Sequence, residues 1–427
     1  MQNCEGGKNL TLMEESMRKI RIGIDGAGFY TWGGGIDFIA MIAEALESTG
    51  KVETYLLAPK SSIIDNFFKS TKCLIKAKGS LKRAKQIKAS RYPSISNMLN
   101  GFATCTPNTK IITYYYLKNR FIDNFEDRKE KCCLDNNIDI LLPSILCEKS
   151  DFKIPRLGYI YDFQHKYLTE FFTDEECLRR DKAFENQLRK SKFVIVNAKS
   201  VKDDINKFFP ENSSEVIVLP FKPFQKPNMA KMVDLSKYNL PSKYYIVCNQ
   251  FWMHKDHKTA FDALEKVFNE GYTDIHLVCT GLIRDDRNPD YGNEIKDKIN
   301  SLNCKDNIHL VGFVQKDEQI AMMINAIGLI QPTLFEGGPG GGATYNAICL
   351  GLTALVSDIP VNKEIQGIDT VYFFEKKNSF ELAKLMIEHI NDKRKPDEIT
   401  DAIVERNRKE YGEELLARLI EIINKEM

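Results

Sequence analysis

The stretch from Leu329 to Asn346 constrains this chain more than any other. It opens as an apolar run and breaks at Pro332. It then passes a single acid, Glu336, into Gly337-Gly338-Pro339-Gly340-Gly341-Gly342. From Ala343 to Leu350 the spacing predicts a helix, with Gly351 as the residue just past its end. A strand, a glycine loop and a helix N-terminus make a phosphate-binding geometry. Residues without Cβ let backbone N–H groups close on an anion, and the helix dipole adds roughly half a positive charge there. A carboxylate beside a phosphate site is unfavourable unless it binds something else, such as sugar hydroxyls. A structural carboxylate there would need a cation, and residues 329–351 contain no Lys or Arg.

A chain of 427 residues exceeds one ordinary domain, so two or three are expected. The net charge of +1 gives no global field for nucleic acid. No apolar run reaches the roughly 18 residues of a spanning helix. Residues 1–19 are polar, lack a signal-peptide core and read as disordered, with Met13 or Met17 as candidate starts. The eleven cysteines are scattered without a Cys-x-x-Cys, which reads as free thiols in a reducing cytoplasm.

The chain then alternates strand and helix signals. Ile20 to Asp25 is a buried-strand pattern, followed by Gly26, Gly28 and Gly33-Gly34-Gly35, a helix from Ile36 to Leu46 and a strand from Val52 to Ala58. This is a βαβ opening, but Thr31 stands where the dinucleotide fingerprint needs its third glycine, which argues against NAD. Residues 69–91 carry nine Lys or Arg and no acid. Three readings stand: a solvated insertion, a patch for anionic lipid or a pyrophosphate-linked acceptor, or a nucleic-acid contact. Tyr114-Tyr115-Tyr116 and Phe121 suit an interface or a core equally. Ile138 to Leu142 reads as a strand ended by Pro143. Leu157 to Tyr161 reads as another, closing on Asp162 and His165, where ligands of open α/β sheets sit. A charged helix covers Thr173 to Lys190, and Ser200 is a candidate cap for the helix reaching Phe208.

Prolines at 220, 223, 227 and 241 mark a linker, 223–243, between a first domain (20–222) and a second (244–405). The second runs from the strand Tyr244 to Cys248, through Asn249, Gln250 and Lys255, to a strand ending at Gly281. Gly312-Phe313-Val314 and the glycine stretch follow, and an amphipathic helix within 406–427 closes the chain. Asp203-Asp204 and Asp285-Asp286 read as solvated acids, and no metal site is suggested.

In this order the landmarks resemble glycosyltransferase family 4. They are Lys255 after the first strand, Gly281, Gly312-Phe313-Val314, Pro332-Thr333-x-x-Glu336-Gly337, and Ser357-Asp358-Ile359-Pro360 with Glu364 beyond. The resemblance implies a GT-B fold, an α/β architecture of two facing Rossmann-like domains whose last helix crosses back to the N-terminal domain. It implies a retaining, metal-independent transferase with a nucleotide-sugar as co-substrate and no cofactor. The acceptor would be a glycan or lipid-linked, in surface polysaccharide or lipopolysaccharide synthesis. The protein would be cytoplasmic, at most peripheral on an anionic membrane surface, with no nucleic acid partner.

On that resemblance Glu336 grips the transferred sugar, and Lys255 with the amides of Gly337, Gly338, Gly340, Gly341 and Gly342 stabilises the leaving diphosphate. Gly33, Gly34, Asn249, Gln250, Gly281, Gly312, Phe313, Val314 and Ala343 complete the donor pocket, and Asp162 or His165 meets the sugar. The chain departs from the pattern in two places. Thr344 or Asn346 stands for the second glutamate, and Gln250 for an arginine. A nucleotide-sugar epimerase and a non-catalytic sugar-nucleotide binder are the competing readings.

Overall fold

The computed structural model describes residues 18–29, 33–61, 102, 106–116, 125–222, 224, 233–285, 287–392 and 401–426. The basic stretch 69–91, nearly all of 1–19, part of the linker 223–243, Phe121 and Asp286 lie outside the described residues.

Two parallel sheets organise the chain. The first holds β1 (Ile20–Asp25), β2 (Val52–Ser61), β3 (Lys110–Tyr116), β4 (Ile140–Ser144), β5 (Arg156–Tyr159), β6 (Phe193–Val196) and β7 (Glu215–Val218), in the order β3-β2-β1-β4-β5-β6-β7. The second holds β8 (Tyr244–Cys248), β9 (His276–Thr280), β10 (Ile308–Gly312), β11 (Gly328–Gln331), β12 (Thr353–Ser357) and β13 (Val371–Phe374), in the order β10-β9-β8-β11-β12-β13. Both are Rossmann-like orders, and in the second the direction of winding reverses between β8 and β11. Strands β8, β11 and β12 are buried along their whole length, as parallel strands covered on both faces must be.

By their contacts, residues 1–157 and 409–427 form one compact unit and residues 158–408 another. The last helix, Asp401–Glu426, thus gives its residues from Lys409 onward to the first unit, as expected for a helix that crosses back. Gly412 explains how closely it packs there: a Cβ would lie 2.0 Å from the Ala45 carbonyl oxygen in the helix Gly33–Ser48. Leu419 and Ile422 are fully buried on the same helix.

Three local expectations need correction. Pro143 does not end β4, which runs on to Ser144 although its pairing with β1 stops at Leu142. Ser200 is not the cap of its helix, Lys199–Phe208. Ala198 holds that position, and the Glu364 carboxylate accepts from Lys199 N at 2.9 Å, Ser200 N at 2.7 Å and the Ser200 hydroxyl at 2.6 Å. A carboxylate on the first free amides also suits the helix dipole. Asp204 and Asp285 are buried rather than solvated. Tyr167 donates to Asp204, while Asp285 is gripped by Arg287.

Candidate active site

The loops after β8 and β11 leave the carboxyl ends of adjacent strands where the winding reverses, the place where such sheets bind ligands. The β11 loop runs Pro332 to Gly340 and feeds the helix Gly341–Cys349. That helix ends in a Schellman turn, with Gly351 at φ +65°, its N–H on the Ile348 carbonyl at 3.1 Å and Leu352 N–H on Ala347 at 2.9 Å. Gly337 is required by close approach, since a Cβ would stand 2.1 Å from the Tyr161 carbonyl oxygen. The loop turns into the helix at Gly340, in the left-handed region at φ +62°, where a Cβ would also meet Thr344 Oγ1 at 2.3 Å.

The β8 loop is tied to this one. The His254 carbonyl accepts from Leu334 N at 2.7 Å and from the Thr333 hydroxyl at 3.2 Å. That anchor carries Lys255 to Glu336, and the two side chains form an ion pair only 11% and 10% exposed. The cation that Glu336 lacks in its own segment thus comes from 81 residues upstream. Gln331, at the end of β11, donates to Glu336 Oε1 at 3.1 Å, and Asn249 donates to Gln331 Oε1 at 2.7 Å. The result is a relay from Asn249 through Gln331 to the carboxylate.

The remaining donor-pocket residues divide. Gln250 accepts from Leu282 N at 2.9 Å and so holds the loop after β9. Gly281 N–H donates to the Gly312 carbonyl at 2.7 Å, joining the ends of β9 and β10. Phe313 is exposed and Val314 buried. Gly340 N–H already donates to Asn362 Oδ1 at 2.6 Å and Gly341 N–H to Gly338 at 3.1 Å, so these two amides are engaged. Ala343 packs at the edge of the apolar core of this sheet. Thr344 and Asn346 are fully buried, and neither side chain makes a hydrogen bond among the described residues. Gly33 and Gly34 open the helix Gly33–Ser48 in the other unit.

Asp162 and His165 follow β5 but differ in setting. Asp162 accepts from Gln164 N at 3.0 Å and lies 3.7 Å from Arg180. Burial pushes its carboxyl above the usual range, with Arg180 opposing and Glu336 adding to the rise. His165 is fully buried among Phe163, Phe172 and Phe184, and its Nε2 lies 2.9 Å from Asp181. Burial lowers its pKa, with Asp181 pulling the other way.

Sequence reasoning missed the shell around Lys255. Arg287 grips both oxygens of Asp285 at 2.9 Å and approaches His254 Nδ1 at 3.2 Å. Asp285 also accepts from Met253 N at 2.9 Å. Burial would raise Asp285, but Arg287 and that amide more than offset it and hold it below the usual range. His254 is buried and held neutral, first by burial and then by the Lys255 and Arg287 charges. Gln331 did carry a signal, as a polar residue in an apolar strand; Arg287 carried none.

Asp256 follows Lys255 and gives a pH prediction. Burial raises its carboxyl to about 6, against hydrogen bonds from Thr259 that lower it. A folded pKa above the unfolded one favours the neutral form, so its stabilising effect is complete below about pH 4 and is lost as pH rises through about 6. Asp256→Asn should therefore raise the unfolding free energy at pH 8, by on the order of 3 kcal/mol, and with it the melting point, and leave both unchanged near pH 4. Thermal unfolding at both pH values checks this, and equal shifts would refute it.

Two Rossmann-like sheets, with an acid-led glycine loop at the switch point of the second, define a GT-B architecture. Residues 228–409 match the family model described as Glycosyl transferases group 1. No curated protein matches the chain significantly. Among solved structures, a glycosyltransferase from Rickettsia africae shares 13% identity at a TM-score of 0.60, covering 96% of this chain and 99% of that one. Anabaena HepE in complex with UDP and glucose shares 13% at 0.60, covering 94% and 99%. An α,α-trehalose-phosphate synthase from Burkholderia xenovorans, in complex with glucose-6-phosphate, shares 8% at 0.59, covering 94% and 100%. At these identities the likeness establishes the fold.

Proposed function

We propose that the chain is a retaining, metal-independent glycosyltransferase of the family 4 type, moving a sugar from a nucleotide-sugar donor to a glycan or lipid-linked acceptor in surface-polysaccharide synthesis. The observation that carries this reading is the Lys255–Glu336 pair at the mouth of the glycine loop. A cation and an anion held together there suit a donor with a diphosphate for the one and sugar hydroxyls for the other. As the bond to the leaving diphosphate breaks, Lys255 and the unengaged loop amides take up its growing charge. Glu336 favours the oxocarbenium-like sugar over the ground state. Asp162, beside Gly337, meets the sugar from the β5 loop. The match to glycosyltransferases group 1 and the UDP and glucose held by Anabaena HepE support a nucleotide-sugar donor.

The test is a thermal-shift screen against UDP-, GDP-, dTDP- and CMP-sugars, followed by product analysis in EDTA. One donor at 100 times its Kd should stabilise by about 2.7 kcal/mol, and transfer should proceed with the chelator present. Stabilisation by none, or epimerised donor as the product, would overturn the reading.

The basic stretch 69–91 is assigned to an anionic membrane surface on its charge alone. No helix among the described residues is long and apolar enough to cross a membrane. Sedimentation with vesicles should show binding to anionic but not neutral lipid, lost at high salt. Equal binding to both would reject the assignment.

A further inference from the structure

Lys255 follows the buried His254 in the chain, Arg287 approaches its Nδ1 at 3.2 Å, and Arg180 adds a third positive charge that disfavours its protonation. Two of them are answered by hydrogen-bonded carboxylates, Lys255 by Glu336 and Arg287 by Asp285. Arg180 is not. Its ion pair, with Asp162, spans 3.7 Å, beyond a hydrogen bond. Its Nε and Nη1 are buried and donate to nothing among the described residues. The guanidinium instead stands over aromatic rings, 4.6 Å from the centre of Phe172 and 5.6 Å from that of Tyr161. Arg287 stands over the same Phe172 ring at 5.5 Å. Rings position a guanidinium, but they do not replace the oxygens that its desolvated N–H groups have lost.

Arg180 belongs to the helix Asp174–Lys190, which follows the loop carrying Asp162, and not to the loops that hold Lys255 and Glu336. On the transferase reading the side of the β5 loop takes the acceptor, and Arg180 is placed with it rather than with the leaving diphosphate. A planar fork already fixed by aromatic faces matches the two oxygens of a phosphate or carboxylate.

We propose that Arg180, with Arg287 over the same Phe172 ring, is an oxyanion subsite that selects an acceptor bearing a phosphate monoester or a carboxylate. This rests on the transferase reading above and narrows its acceptor class. The anion would supply the hydrogen bonds that Nε and Nη1 lack, and Asp162 would face the acceptor beside it.

The test is calorimetric titration of the full chain, saturated with UDP or the tightest nucleoside diphosphate of the screen, with glucose 6-phosphate, glucuronate and glucose. One anionic sugar should bind at least about tenfold tighter than glucose, and which one identifies the group. Arg180→Gln should abolish that preference and leave nucleotide affinity within about twofold, and Arg180→Lys, which keeps a charge over the rings, should retain part of it. No preference in the wild type, or one that survives in Arg180→Gln, overturns the subsite. A parallel loss of nucleotide affinity also overturns it and places Arg180 on the donor diphosphate. The same titrations without nucleotide separate the two readings: an Arg180-dependent preference there supports the subsite even where no nucleotide binds.

Discussion

Glu336→Gln is expected to fold, to bind a free nucleoside diphosphate within a few-fold of wild type, and to slow sugar transfer by about a thousandfold. The structure explains why these effects should separate. Glu336 is paired with Lys255 and accepts from Gln331, which is itself held by Asn249. A glutamine can still accept from Lys255, so the link between the β8 and β11 loops survives. The negative charge is lost, and charge is what distinguishes an oxocarbenium-like sugar from its ground state. Calorimetry with the nucleotide, beside the transfer rate with the intact donor, reads the two effects independently. If transfer persists while folding or nucleotide binding collapses, Glu336 is a structural partner of Lys255 and no more.

Lys255→Ala is expected to lower turnover by about a hundredfold or more, because a cation facing a developing anion contributes several kcal/mol. It also strands Glu336, at 10% exposure, without its cation. Leaving one member of such a pair unanswered costs stability as well. The double variant Lys255→Ala with Glu336→Gln should therefore melt higher than Lys255→Ala alone. Its turnover should fall by less than the two single losses combined if, as proposed, both act on one reacting centre. Strict additivity in both readouts would mean that the pair does not work as a unit, and wild-type turnover in Lys255→Ala would remove the lysine from the mechanism.

What the sequence disclosed depended on how local the cause was. β8 was readable to the residue because a strand covered on both faces leaves a continuous apolar run, and β1 because its alternating isoleucines stop at Asp25. The glycine loop, its helix and the turn at Gly351 were readable because backbone geometry selects those residues. The strand at Tyr114 to Tyr116 was not placed, since three aromatics in a row suit a buried strand or an interface alike. Partnerships across long separations were hidden altogether. Glu364 serves a helix 164 residues upstream, and nothing near either segment announces it. Arg180 lies on a helix that the sequence marks only as charged, and nothing there announces that its guanidinium stands over Phe172 and Tyr161. The site shows the same division: Glu336 and Lys255 were each singled out for separate tasks, while their contact required the fold.

The most direct measurement is the release of nucleoside diphosphate from the donor identified by the screen, followed by phosphorus NMR in wild type and Glu336→Gln. The expected result is steady, acceptor-dependent formation of nucleoside diphosphate by the wild type, and formation slower by about two to three orders of magnitude in the variant at unchanged nucleotide affinity. Equal rates in the two proteins, or a product in which the nucleotide remains attached to an altered sugar, would contradict a transferase built on Glu336 and Lys255.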